Sequence, residues 1–209
     1  MSLQLQAQPL TAEFYSQPAT TVARKLLGAR LVRVLPDGTR LSGRIVETEA
    51  YSGIDDLASH GRHRRTPRNA PMWGAPGRAY VYLSRGLYWM LNVVAEPQDQ
   101  PAAVLIRALD PLEGIDVMQR HRPDRKLAEL TSGPARLALA LSVTGALNTA
   151  DMTQGAELWI EPDQTIPDSQ VRTGPRIGLG KTPEPWLSMP WRWWVGGNPY
   201  VSARSGKRG

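Results

Sequence analysis

Cysteine is absent from all 209 residues, which excludes disulfides and any Cys-ligated metal centre. No run approaches the roughly 18 consecutive apolar residues of a membrane span, so no membrane association is expected. The opening stretch MSLQLQAQPLTAEFY has neither the basic nor the apolar region of a secretory signal, and cytoplasmic residence, at the nucleoid in a bacterium, is the expectation. Lysine is scarce: Lys25, Lys126, Lys181 and Lys207 stand against 21 arginines. Catalytic signatures are missing too. Asp55, Asp56, His60 and His63 show no HExxH or comparable ligand spacing, so no metal is expected; there is no GxSxG elbow, and GPRIGLGKT has the wrong spacing for a P-loop.

What is present begins with charge. The formal net charge is +6 and the pI is near 10, a balance that favours a polyanionic partner. Arg62, Arg64, Arg65, Arg68, Arg78 and Arg85 fall between His60 and Gly86 with no acid among them, and the other 19 basic residues match the 19 acidic ones. One segment therefore carries the whole excess. A preponderance of Arg suits bidentate phosphate contacts. The length suits one domain, placed at 19–201, with a loosely ordered segment at 1–18 and a basic disordered tail at 202–209.

Hairpins dominate the pattern. Thr20 or Thr21 is expected to cap a short helix through Leu27 that Gly28 ends. Arg30 to Leu35 alternates as a strand, Asp37-Gly38 marks a turn, and the return strand runs through Leu41 to Glu49. Residues 52–77 carry no periodic segment, which in a compact domain points to a functional loop. RAYVYL and LYWMLNVV form a second hairpin about Ser84-Arg85-Gly86. Ala102 to Ala108 is a strand, and Asp110-Pro111 opens a helix to about Arg120. Ser132-Gly133-Pro134 introduces another helix that ends near Gly145. Ala156–Glu161, Thr173–Leu179 and Trp191–Val195 complete the strands. The expected fold is α/β mixed (α+β): a curved, mostly antiparallel sheet with flanking helices.

The stretch RIVETEAY, Arg44 to Tyr51, raises the chemical question. At a period of two, Glu47, Glu49 and Tyr51 share one face while Arg44, Val46, Thr48 and Ala50 share the other. That face is either the solvated side of an edge strand or the floor of a site that sets an acid beside an aromatic ring. Two carboxylates so close on one strand do not suit a glycosidase pair, whereas a single Glu can serve as general base. Nearby lie Tyr51, Trp73, Tyr80, Tyr82, Tyr88 and Trp89, rings able to stack on nucleobases while arginines hold phosphates. At strand spacing about half of them belong to the core.

From Ala23 to Val201 the sequence resembles the alkyladenine (3-methyladenine) DNA glycosylases, through ARKLLGARLVR, GRIVETEAYSG, ASHGRHRRTPRNAPMW, PGRAYVYL, LYWMLNVV, VLIRALDPLEG, TSGPARL, RIGLG and NPYVS in that order. The resemblance implies hydrolysis of the N-glycosidic bond of alkylated purines in duplex DNA. It implies Glu49 as the base that activates water, Arg107 beside that water, and the Ile177 carbonyl holding it. Tyr51, His60 and Tyr82 become the walls around an extruded base, Asn92 the group that rejects guanine, and Glu47 a structural residue. It implies no cofactor. None of the four lysines lies in the matched site motifs, so no Schiff base and no strand cleavage are expected.

One position departs from the family pattern. An aromatic, usually Tyr, is the family's residue at the hairpin tip that fills the gap left by a flipped nucleotide; here Arg85 stands there, with Leu87 beside it to supply an apolar contact. Together with the six-arginine segment these residues form the expected DNA contact. The protein is expected to act as a monomer without an obligate protein partner. The rival reading is a module that binds damaged or single-stranded DNA without chemistry; a carboxylate at Glu49 would bring it no advantage.

Overall fold

The computed structural model describes residues 8–202. Ser202, the first residue of the expected tail, is buried and its N–H donates to Glu47, so the ordered chain reaches one residue further than expected; the rest of that tail, from 203 onward, and residues 1–7 lie outside the described residues. Two short helices come first, α1 (Ala12–Tyr15) and α2 (Ala19–Lys25). The segment before residue 19 is more organised than its pattern suggests: Tyr15 is fully buried in the core. Thr20 and Thr21 lie inside α2, whose N-cap is Pro18 with no side-chain capping bond. Gly28, at φ 91°, turns the chain into the sheet, where any Cβ would collide with the Gln164 carbonyl oxygen.

The sheet is antiparallel and curls into a half-barrel. Its strands are β1 (Arg30–Val34), β2 (Arg40–Ser52), β3 (Ala79–Ser84), β4 (Tyr88–Val94), β5 (Ala102–Glu113), β6 (Leu158–Glu161), β7 (Val171–Gly174) and β8 (Arg192–Val195). They pair in the order β3-β4-β5-β2-β1-β6, with β8 joining β2 to β7. Strand β2 is thus central along its length. One edge pairs with β5, and the other is shared between β1 at Arg40–Arg44 and β8 at Glu47–Glu49. The edge-strand reading of RIVETEAY is excluded by this topology.

Two corrections concern β5 and the helices after it. Asp110-Pro111-Leu112-Glu113 does not start a helix but continues the strand, with Ser42 opposite Glu113 and its hydroxyl 2.7 Å from the Glu113 carboxylate. The missing Pro111 N–H removes no ladder bond, because β4 pairs with β5 only over Ala103–Leu105. Helix α3 (Ile115–His121) begins after Gly114 at φ 70°, where a Cβ would collide with the Leu41 side chain. Helix α4 (Pro134–Ala140) comes after Gly133 as expected but ends earlier, with Ser142 at φ 52°. Strand β7 likewise stops at Gly174, freeing 175–179 as a loop.

Strict alternation also fails in the middle of β2, and the failure positions the site. Leu41 and Ile45 belong to the core cluster, yet beyond them the core residue is Ala50, and the Thr48 hydroxyl donates to the Ala23 carbonyl of α2. The register steps from Ile45↔Leu109 to Glu47↔Ala108 and then to Thr48↔Ile106. Val46 is therefore an extra residue on β2, and Arg107 one on β5. Such bulges re-aim side chains. In β5 the core set changes in the same way, from Val104 and Ile106 to Leu109. Both strands exchange faces at the same level, so Glu47, Glu49, Tyr51, Ala103, Leu105 and Arg107 face away from the main core.

Candidate active site

These side chains meet beneath a cavity of about 890 Å³ whose walls include Tyr51, His60, Tyr80, Tyr82, Asn92, Arg107 and Ile177. Glu49 is fully buried and is not among the residues that line this cavity. Its Oε2 accepts from the Tyr51 hydroxyl at 2.8 Å and faces the Arg107 guanidinium at 3.2 Å. Its Oε1 accepts from the Ile177 backbone N–H at 2.6 Å. Three donors thus converge on one carboxylate, and each belongs to a residue that lines the cavity. Burial, then the Glu49 charge, push the Tyr51 phenol well above its usual value, so it stays a donor.

Glu47 has a different task. Its Oε1 accepts from Arg107 Nε at 3.1 Å and from Arg192 at 3.0 Å, and its Oε2 accepts from the Ser202 N–H at 2.7 Å. It anchors two buried guanidiniums and, through Arg107, fixes the group that faces Glu49. Burial works against the Arg107 charge, but Glu49 and Glu47 outweigh it and raise its proton affinity further.

On the walls, His60 Nδ1 is 2.9 Å from the Tyr80 hydroxyl, and the His60 ring meets Tyr82 edge-on at 4.5 Å. Tyr80 and Tyr82 lie 5.3 Å apart. Burial and the positive charges of Arg68 and Arg62 lower the His60 pKa, which keeps the imidazole neutral. Asn92 donates to the Tyr80 carbonyl at 3.0 Å, which fixes its amide in the wall. Met72, Ala103 and Leu105 supply apolar floor.

The basic segment divides. Arg62, Arg64, Arg68 and Arg85 line the cavity mouth. Arg65 is exposed outside it, and Arg78 pairs with Asp151 at 3.1 Å, so neither joins that wall. Leu87 is 70% exposed on the hairpin tip. Of the other expected rings, Trp73 packs against the small Met72–Tyr80 cluster and Trp89 against the main core, where it touches Gly145.

Sequence reasoning missed Asp56 and Arg176 as builders of the site. Asp56 reads locally as a turn former. Instead it is completely buried and bonded to both terminal nitrogens of Arg176, at 2.5 and 2.9 Å. Arg176 also donates to the carbonyls of Ala50 and Trp186 and covers the faces of Tyr51 at 4.8 Å and Trp191 at 5.1 Å. This pair ties the 52–61 loop to the loop that delivers Ile177. No group of three potential metal ligands occurs among the described residues. No described helix is long and apolar enough to cross a membrane.

A cavity walled by aromatic rings, with arginines in its lining and a buried carboxylate bonded to three of its lining residues, suits a flat, electron-poor ring carried on a phosphate chain. That is the layout of a nucleobase-handling site. The chain belongs to the methylpurine-DNA glycosylase family, whose model matches residues 13–199. A DNA-3-methyladenine glycosylase of Mus musculus is 44% identical over 205 residues, covering 92% of this chain and 61% of the mouse protein. Its Homo sapiens counterpart is 42% identical over 204 residues, covering 92% and 67% respectively. A Salinibacter ruber protein, named as a candidate 3-methyladenine DNA glycosylase, is 43% identical over 208 residues, covering 95% of this chain and 98% of that one.

Proposed function

We propose that the protein is a monofunctional DNA glycosylase that rotates an alkylated purine such as 3-methyladenine out of duplex DNA and hydrolyses its N-glycosidic bond, leaving an abasic site. The observation that carries this reading is the convergence of Tyr51, Arg107 and Ile177, all lining one aromatic cavity, on the buried Glu49. Extruding a base costs a few kcal/mol, offset by stacking in the slot and by phosphate contacts at the rim. Tyr51, His60 and Tyr82 sandwich the base. A cationic purine gains from their electron-rich faces and from a His60 that carries no charge to repel it. Asn92, held by the Tyr80 carbonyl, stands where an exocyclic amine of guanine would crowd it.

In the chemical step the C1′–N bond breaks as the purine leaves neutral, and the sugar gains oxocarbenium character. A water oxygen attacks C1′ while Glu49 takes the proton, and the carboxylate charge stabilises the developing cation. Because Glu49 is covered by its own three partners, the water enters by displacing one of them. The loop carrying Ile177 is suited to yield, with Gly178 at φ 84° and Gly180 at φ 62° just after it. Arg107, held from behind by Glu47, stays to steady the anion.

Incubation with duplex carrying a single 3-methyladenine tests the reading. Free 3-methyladenine should appear, with a backbone that breaks only after alkali, and chelators should have no effect. Tight binding without base release over many turnover times would instead make the protein a damage-binding module.

A further inference from the structure

Beside the cavity mouth the β3–β4 hairpin carries an unusual concentration of exposed apolar surface. Of the seven large hydrophobic side chains exposed among the described residues, three sit here: Leu83 at 36%, Leu87 at 70% and Tyr88 at 47%. A cluster of this kind next to a polyanion-binding rim is the form of a wedge that enters a base stack. At its apex Arg85 and Gly86 both adopt positive φ, 52° and 69°, and the Leu87 N–H closes on the Ser84 carbonyl at 3.0 Å. These are the φ signs of a type I′ turn, which favours Asn or Gly at the position Arg85 occupies. Among the described residues the Arg85 guanidinium makes no hydrogen bond or ion pair, although it lines the cavity mouth. Arg85 is exposed, so water meets its donors in the free protein; a strained, forked donor at the tip of an apolar wedge is placed to exchange that water for acceptors within a base stack.

We infer that Arg85 reads the base left unpaired opposite the extruded nucleotide and favours cytosine. The inference rests on the glycosylase reading, since only extrusion creates an orphan base. That base keeps a bare Watson–Crick edge inside the stack, where unmet polar groups are costly. A guanidinium is a planar fork of donors that matches two adjacent acceptors. Cytosine alone offers them, at N3 and O2. Thymine separates its two carbonyls by an N–H donor, adenine has one acceptor beside an amine, and guanine presents two donors beside one acceptor. Leu87 fills the vacated space while Arg85 supplies the bond, so any one extruded lesion is retained longer opposite cytosine than opposite thymine.

The test uses the full chain and duplexes in which a tetrahydrofuran abasic site faces C, T, A or G, with dissociation constants measured at one salt concentration. The wild type should bind the cytosine duplex roughly tenfold more tightly than the purine duplexes, the size of one good bidentate contact. Arg85→Ala should flatten the series to within about twofold. Arg85→Lys, which keeps the charge without the fork, should also lose the cytosine preference while retaining more overall affinity than Arg85→Ala. Arg85→Gly, which takes φ 52° without strain, should melt no lower than the wild type and still lose the preference, separating recognition from folding. Equal wild-type affinity for all four duplexes, or a preference that survives Arg85→Ala or Arg85→Lys, overturns the inference. Release of 3-methyladenine is measured in parallel: release without opposite-base dependence sinks only the role of Arg85, whereas absence of release sinks the glycosylase reading itself.

Discussion

Replacing Asp56 by alanine strips the counter-ion from a guanidinium that has no solvent to turn to. Both side chains of the Asp56–Arg176 pair are 0% exposed, and the Arg176 Nε already lacks a partner. Two carbonyls, of Ala50 and Trp186, would remain as its only polar contacts. Removing one member of a buried pair typically costs about 3–5 kcal/mol. For a chain of this size each kcal/mol lowers the melting point by about 2–4 °C, so Asp56→Ala should melt about 6–20 °C lower. Asp56→Asn keeps an acceptor without the charge and should fall between. The double change Asp56→Leu with Arg176→Met removes both charges and should recover part of the loss, since well-packed apolar residues replace buried pairs at little cost. Urea unfolding followed by tryptophan fluorescence would supply the free energies, with an unchanged m-value confirming that the native state remains compact. A loss under about 1 kcal/mol in Asp56→Ala, the range of solvent-screened surface pairs, would refute the argument. So would a double variant no more stable than the single one.

Three further outcomes are expected. Glu49→Gln keeps the shape of the floor but removes the base, so single-turnover excision should drop about 10²–10⁴-fold with little change in DNA affinity. Tyr51→Phe keeps the ring and deletes the 2.8 Å donor to Glu49, and with a hydrogen bond to a charged group worth about 1.5–3 kcal/mol it should slow excision about 10–100-fold, read by the same assay. The lowered His60 pKa means that the unfolded chain takes up this proton first: the His60 contribution is complete above the unfolded value of about 6.5 and is lost as pH falls towards the folded pKa. Urea midpoints across that window should therefore decline towards acid less steeply in His60→Gln than in the wild type.

Local signals carried the hairpins. Asp37-Gly38 and Ser84-Arg85-Gly86 turn where expected, Gly38 and Gly86 taking the positive φ that glycine allows while Arg85 takes it against its own preference. Of the site residues that family resemblance indicated, Tyr51, His60, Tyr82, Asn92, Arg107 and Ile177 line one cavity, whereas Glu49 is fully buried outside its lining and is reached through Tyr51, Arg107 and Ile177. What the sequence concealed was non-local. Asp56 and Arg176 lie 120 residues apart, and nothing near either one signals a counter-ion. Asp110-Pro111 has the composition of a helix start, yet continued pairing with β2 outweighs that propensity until Gly114 breaks the strand. Simple alternation also set Ile45 on the face of Glu47, because an extra residue in a ladder leaves no mark on a hydrophobic pattern.

The paired irregularities at Val46 and Arg107 make chemistry and folding share a single frame. Because every β2 residue beyond Val46 is phased by that offset, a one-residue deletion there would carry Glu49 into the space now held by Thr48, on the opposite face, and bring Ala50 to the place of Glu49. Substitutions can tune this protein position by position, but length changes in its two longest strands alter the scaffold and the active centre together.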